Sequence, residues 1–151
     1  MTEGVETLVA DLVAARADFL SALETVDQTA PGVVGEWSAR ELVAHLGYWA
    51  GHAAEVIHAV ETGRADEVGV GEPSVDDRNE TVARVARQTD LATARKREAA
   101  SVEALVDRLA TIDPALLSVP LPDGATLAGL IREDGPEHYL EHTGDLHAAA
   151  R

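Results

Sequence analysis

Two histidines near the end of the sequence, His138 and His142, lie four positions apart in the segment PEHYLEHTGDLHAAAR. Residues four apart share one face of an α-helix, so one helix can present both imidazoles to a single metal ion. The chain contains six histidines, however, and two solvated or internally hydrogen-bonded imidazoles would show the same spacing. A third ligand is therefore needed, because catalytic zinc commonly has three protein ligands and an open position for water.

His45 is the candidate for that third ligand, since it lies two turns into a second predicted helix, on its apolar stripe. If the second and last helices face each other, the three imidazoles meet. We therefore predict a divalent metal site formed by His45, His138 and His142. His52 lies seven residues beyond His45, about 10 Å along the helix axis, which is too far to share the ion. It either lines a pocket beside the site or is a buried histidine with an ordinary partner.

The acids Glu137 and Glu141 flank the histidine pair, and Glu141 is the candidate catalytic acid–base or ligand-orienting group. The alternative is that both are solvated acids on a helix surface. His58 and His147 are expected at the surface. The sequence offers no G-x-S-x-G nucleophile motif, and GVGEPS lacks the lysine of a phosphate-binding loop.

The amino-acid composition disfavours several classes of partner and of metal ligand. Twelve basic and 27 acidic residues give a net charge of −15, which disfavours nucleic acids and anionic membranes as partners. Without cysteine there are no thiolate ligands, and any sulfur nucleophile must come from a cofactor thiol. The acidic N-terminus does not resemble a signal peptide, so we expect a cytoplasmic protein that acts on a small molecule. The oligomeric state stays open, with a homodimer as one option.

The apolar pattern predicts the helices that position these side chains. A helical period runs from Val5 to Val26, and the breakers Ala30-Pro31-Gly32 end the first helix. The SARE sequence is a capping box for a second helix from Ser38 to about Thr62. Further helices are expected at about 75–87, from Thr89 or Asp90 to about Thr111, and from about Thr126 onward. Loops should cover 63–76 and 112–125.

These elements predict an all-α protein of one domain, residues 1–151: a four-helix bundle with a short extra helix before the third long helix. Pro136 interrupts the last helix, which either kinks there or restarts with Asp134 as its N-cap. We also expect the charge of Arg16 in water and the polar stretch ATARKREA facing solvent. Asn79 is either a pocket amide or part of the polar first turn of a helix, and we favour the second.

Two stretches carry a resemblance to a known family. GEWSARELVAHLGYWAGH resembles the first signature of the DinB/YfiT-like superfamily, and EHYLEHTGDLHA resembles its C-terminal signature. The resemblance spans nearly the whole chain. It implies an up-down-down-up four-helix bundle with a divalent metal, often nickel or zinc, on three histidines that map to His45, His138 and His142.

Members of this superfamily include the metal-binding domain of mycothiol-dependent maleylpyruvate isomerase, bacillithiol S-transferases and colibactin self-protection proteins. The resemblance thus implies thiol transfer, isomerisation or hydrolysis on a small electrophile, with a low-molecular-weight thiol such as mycothiol as cofactor. The sequence ends without the isomerase's extra C-terminal domain, so we expect a different specific activity. The leading hypothesis is a metal-dependent S-transferase or hydrolase, and the alternative is a bundle that sequesters a small molecule.

Overall fold

The computed structural model describes residues 4–151, so residues 1–3 of the predicted domain lie outside the described residues. Within this range the chain forms six α-helices and two short 3-10 segments, with no strand. The helices are α1 (Val5–Leu23), α2 (Ala39–Glu61), α3 (Val75–Arg87), α4 (Leu91–Thr111), α5 (Leu127–Asp134) and α6 (Pro136–Ala149), and the 3-10 segments are Ala65–Glu67 and Pro114–Ser118. The predicted all-α class is confirmed.

The apolar stripes of the long helices meet in one core. The most extensive packing joins α2 to α4 and α1 to α6, and α3 and α5 both pack on α2. Leucines, the single phenylalanine and Tyr139 provide its large, fully buried side chains. The up-down-down-up order of the four main helices stays a prediction. None of the helices within residues 4–151 is long and apolar enough to cross a bilayer.

Most predicted helix boundaries follow from local capping chemistry. The Glu41 carboxylate accepts a hydrogen bond from the backbone N–H of Ser38, where the capping box places the start of α2. Asp90, rather than Thr89, caps α4 by accepting from the N–H of Thr93 at 2.8 Å. The short helix predicted at 75–87 is α3. The loops at 63–76 and 112–125 each contain one 3-10 turn that the sequence pattern did not predict.

The last helical segment restarts at Pro136, but Asp134 is not its cap. Gly135 separates α5 from α6 with φ −111° and ψ −102°, and it is the N-cap residue of α6. A Cβ at Gly135 would lie 2.9 Å from the carbonyl oxygen of Ile131, so only glycine fits this break. Proline is favourable at the first helical position because its missing N–H would have no helical partner. The Asp134 carboxylate is instead 2.8 Å from Nδ1 of His52.

A buried ion pair corrects two further expectations. Arg16 on α1 donates from Nη2 to Oε1 of Glu98 on α4 at 2.6 Å, and the Arg16 side chain is 25% exposed, so its charge is not simply in water. Glu98 lies within the ATARKREA stretch that we expected to face solvent, yet it is 2% exposed. The hydroxyl of Tyr139 on α6 donates to the same carboxylate at 2.5 Å. We call these three side chains the Arg16–Glu98–Tyr139 network, which ties α1, α4 and α6 together.

Candidate metal centre

Three imidazoles converge between α2 and the first two turns of α6. His45 comes from α2, and His138 and His142 come from α6. The ring centroids lie 4.6 Å apart for His45 and His138, 5.2 Å for His45 and His142, and 4.8 Å for His138 and His142. One nitrogen of each ring lies within 4.8 Å of the other two. The predicted convergence is confirmed, and we call this group the three-histidine cluster.

The starts of α2 and α6 determine where the three histidines lie. Two turns after the Ser38 cap, α2 directs His45 into the interior, where it is 6% exposed and packs against the Trp37 ring at 5.1 Å. The break at Gly135 lets α6 begin two residues before His138, which places this histidine in the first turn. His138 therefore lies near the positive end of the α6 dipole, and this positive end disfavours protonation of the ring.

Burial keeps the imidazole rings of His45 and His138 neutral. Desolvation, together with the positive charge that His138 and His142 would carry, lowers the pKa of His45 to about 3 from its usual 6.5. Desolvation and the neighbouring His142 lower the pKa of His138 to about 4. Neutral imidazole is the form that binds a metal ion, so at neutral pH these two rings have free lone pairs.

Hydrogen bonding within the cluster is incomplete. Nε2 of His45 lies 2.8 Å from Nε2 of His138, a separation at which two lone pairs repel unless a proton or a cation lies between them. The Nδ1 atoms of both rings are buried without a partner among the described residues. The facing Nε2 atoms are therefore the nitrogens through which these two rings could share a cation.

The third ring has an orienting partner that the sequence did not predict. Nδ1 of His142 lies 2.8 Å from Oδ2 of Asp145, one turn further along α6. A carboxylate on one ring nitrogen fixes the tautomer and leaves Nε2 of His142 as the electron-pair donor. The i,i+3 spacing of His142 and Asp145 was visible in the sequence and could have indicated this contact. Glu137, the other acid considered for this role, is exposed.

A cavity of about 380 Å³ opens beside the cluster. His45 and His138 form part of its wall, and Glu141 lies on it too, although its side chain is exposed to solvent. Glu141 therefore faces the space in which a substrate would bind, but its catalytic role stays a prediction. The surface positions expected for His58 and His147 are confirmed, since both are exposed.

Trp49, one turn after His45 on α2, also lines this cavity. Its indole N–H donates to Oδ1 of Asn79 at 2.8 Å, so Asn79 on α3 is the pocket amide, the alternative that we had favoured less. The guanidinium of Arg78 lies 4.8 Å from the Trp49 ring and pairs with Glu72 at 3.0 Å. His52 packs edge-on against Trp49 at 5.1 Å, so both alternatives for it are correct: it has a carboxylate partner and it lines the cavity.

The donor set fits a divalent transition metal. Imidazole nitrogens bind zinc, nickel, copper and iron, whereas magnesium and calcium prefer oxygen. The short contact between the Nε2 atoms of His45 and His138 and the Asp145 support of His142 are both features of imidazoles that can hold a cation through Nε2. Three protein donors beside a cavity would leave room for a further ligand.

The sequence matches one family model, described as the mycothiol maleylpyruvate isomerase N-terminal domain, over residues 7–135. This range contains His45 and ends three residues before His138. A comparison with curated proteins finds no significant match.

Solved structures share the fold at low sequence identity. An uncharacterised protein from Escherichia coli UTI89 has a TM-score of 0.81 at 15% identity, covering 99% of this chain and 94% of that one. The colibactin self-resistance protein ClbS, solved with double-stranded DNA, has a TM-score of 0.77 at 15% identity, covering 97% and 94%. The mycothiol-dependent maleylpyruvate isomerase has a TM-score of 0.68 at 16% identity, and the match covers 99% of this chain but 62% of the isomerase. At such identities the likeness concerns the fold.

Proposed function

This chain belongs to the mycothiol maleylpyruvate isomerase N-terminal domain family, and from that premise we propose that it is a divalent-metal-dependent enzyme that joins a low-molecular-weight thiol to a small electrophile. The observation that carries the proposal is the convergence of the three-histidine cluster on the wall of a cavity. Family membership also agrees with the resemblance read from the two signatures.

In this proposal His45, His138 and His142 hold a zinc or nickel ion, and Asp145 orients His142. When bound, such an ion favours the deprotonated form of a thiol or of water in its open position. Burial keeps His45 and His138 neutral, which is the form of imidazole that binds a metal ion. Glu141, on the cavity wall, is the proposed acid–base group, placed to exchange protons with solvent.

The thiol must come from outside the chain, because the sequence contains no cysteine. The cavity of about 380 Å³ is at the small end of ligand sites, which supports a small electrophile as the second substrate. If water takes the place of the thiol, the same site would catalyse hydrolysis. DNA is not a proposed ligand, although ClbS was solved with it, because a net charge of −15 repels phosphates.

The alternative function is sequestration of a small molecule in the same cavity, with a metal that is structural or dispensable. The apolar wall around Trp49, Val68 and Leu130 supports this alternative. Under it, affinity for the molecule depends on apolar contact and not on the histidines. We also propose that the four main helices, counting α5 and α6 as one, run up-down-down-up, as the family resemblance implies.

The test compares wild type with His142→Ala and uses His147→Ala, an exposed histidine on the same helix, as the matched control. Each protein, purified without a histidine tag, is analysed for metal. Each is then assayed for conjugation of mycothiol or bacillithiol to monochlorobimane, and the same assay without thiol detects hydrolysis. We expect His142→Ala to lose both metal and turnover, and His147→Ala to keep both.

Equal conjugation rates for fully metallated wild type and His142→Ala would contradict thiol transfer at this site. If the bimane binds to His142→Ala with wild-type affinity and no protein turns it over, sequestration becomes the better account.

A further inference from the structure

A second histidine–carboxylate pair lies outside the three-histidine cluster. Nδ1 of His52 on α2 is 2.8 Å from Oδ2 of Asp134, the last residue of α5. Their side chains are 13% and 15% exposed, so the pair is largely removed from solvent. Nothing in the proposed metal site requires it, since His52 is two turns away from His45 on α2.

The contacts of His52 fix the chemistry of its ring. When the ring is neutral, the proton on Nδ1 is donated to the Asp134 carboxylate, and this leaves the lone pair of Nε2 as an acceptor. Nε2 makes no hydrogen bond to any residue within 4–151. The edge contact with Trp49 at 5.1 Å limits rotation of the ring, and Asn79 holds Trp49 in turn. The arrangement is that of an oriented proton acceptor with its acceptor atom free.

His52 and the three-histidine cluster share one space. The cavity of about 380 Å³ is lined by His52 and Asp134 as well as by His45 and His138. Substrates that occupy this cavity between the cluster and His52 would therefore border both groups. The break between α5 and α6 places Asp134 and His138 within one turn of each other, so the same local structure positions both groups.

We propose that His52, positioned by Asp134, accepts the proton of the thiol that reacts at the three-histidine cluster. This inference rests on the proposed thiol transfer. The S–H bond breaks as its proton moves to Nε2 of His52, and the sulfur electron pair forms the new S–C bond. The leaving group departs with the electrons of its bond to carbon, chloride in the case of monochlorobimane. Asp134 stabilises the imidazolium until the proton leaves for solvent, the exchange in which the exposed Glu141 is the proposed participant.

The competing explanation is that the pair only joins α2 to α5. The variant His52→Gln separates the two, because a glutamine amide can still donate to Asp134 but cannot accept a proton from a thiol. His58→Gln is the matched control, since His58 is an exposed histidine on the same helix. Metal content, melting temperature, kcat and KM are measured for each variant with mycothiol and monochlorobimane. The assay is then repeated with thiophenol, an acidic thiol that is largely ionised at pH 8 without a base.

We expect His52→Gln to keep its metal and to lose about 100-fold in kcat with mycothiol, with little change in KM. With thiophenol the loss should nearly vanish, because that thiol arrives without its proton. Asp134→Asn, a change to the positioning residue, should show the same thiol-dependent loss, and His58→Gln should match wild type.

An equal loss with both thiols, or unchanged kcat with mycothiol, would overturn the role of His52 while the proposed function stands. A wild type that retains metal but transfers neither thiol would overturn the proposed function and this role together.

Discussion

Two sets of buried polar side chains include residues of α6, and they differ in how completely their polar atoms are hydrogen-bonded. In the Arg16–Glu98–Tyr139 network, both oxygens of Glu98 accept from the Arg16 guanidinium, and Oε2 also accepts from the Tyr139 hydroxyl. His138, the residue before Tyr139, belongs to the three-histidine cluster. In that cluster Nδ1 of His45 and Nδ1 of His138 have no hydrogen-bond partner among the described residues.

The two groups also respond differently to protons. Hydrogen bonding to Glu98 raises the pKa of Arg16 above its usual range, so the guanidinium of the network stays charged. Burial raises the pKa of Tyr139 well above 10, which keeps its hydroxyl protonated as a donor. The cluster instead holds His45 and His138 neutral and unpaired. We infer that the network stabilises the fold, whereas the cluster reduces stability in exchange for ligand binding.

The largest effect should come from breaking the network. Glu98→Gln leaves the partly buried Arg16 charge without its counter-ion, and we expect the free energy of unfolding to fall by about 3 kcal/mol. Urea denaturation followed by circular dichroism measures this. Glu103→Gln, an exposed acid on the same helix, should change stability by less than about 0.5 kcal/mol. If the two variants lost equal stability, the network would not have the structural role assigned to it.

The metal-free protein should become less stable in acid because of the cluster. Between pH 6.5 and about 4 the unfolded chain binds protons at His45 and His138 that the folded chain does not, so the free energy of unfolding falls as pH falls. We expect each ring to contribute a loss of about 2–3 kcal/mol across this window. The double variant His45→Leu/His138→Leu should lack this part of the pH dependence. Identical pH profiles for the two proteins would show that the rings are not held neutral.

A smaller effect is expected from the carboxylate that orients His142. Asp145→Asn should weaken zinc binding about 10-fold, because the ring loses its charged partner but not its position. Glu137→Gln, an exposed change on the same helix, is the control and should bind zinc as wild type does. Competition with a fluorescent zinc chelator measures both affinities. Unchanged affinity in Asp145→Asn would mean that His142 is positioned by packing alone.

The smallest effect tests whether the three-histidine cluster lowers the stability of the metal-free protein. Without metal at pH 7, His45→Leu/His138→Leu should be as stable as wild type or about 1 kcal/mol more stable, because both unsatisfied rings are replaced by apolar groups of similar volume. Urea denaturation in the presence of a chelator gives the comparison. If the double variant lost more than about 2 kcal/mol of unfolding free energy, the cluster would stabilise the fold as the Arg16–Glu98–Tyr139 network does.

Much of the fold was predictable because it depends on local signals. The capping residues Asp90 and Thr126, the restart at Pro136 and the helical spacing of His138 and His142 all act within a few residues. These signals also predicted that His45 would meet the histidine pair once α2 and α6 faced each other.

The contacts that the sequence did not predict join residues far apart along the chain. Arg16 and Glu98 are 82 positions apart, as are His52 and Asp134. Which acid each base meets depends on the rotation and axial position of packed helices, and no periodic pattern in one segment encodes these. Glu98 therefore looked like one more charge on a polar helix face, although its carboxylate is buried.

The most direct test of the account is a calorimetric zinc titration of the metal-free, tag-free protein at pH 7, with wild type and His45→Leu/His138→Leu side by side. We predict that wild type binds one zinc ion per chain, with saturation and a raised melting temperature, and that the double variant does not. Saturable binding of equal affinity in both proteins, or none in wild type, would contradict the assignment of the three-histidine cluster as a metal centre.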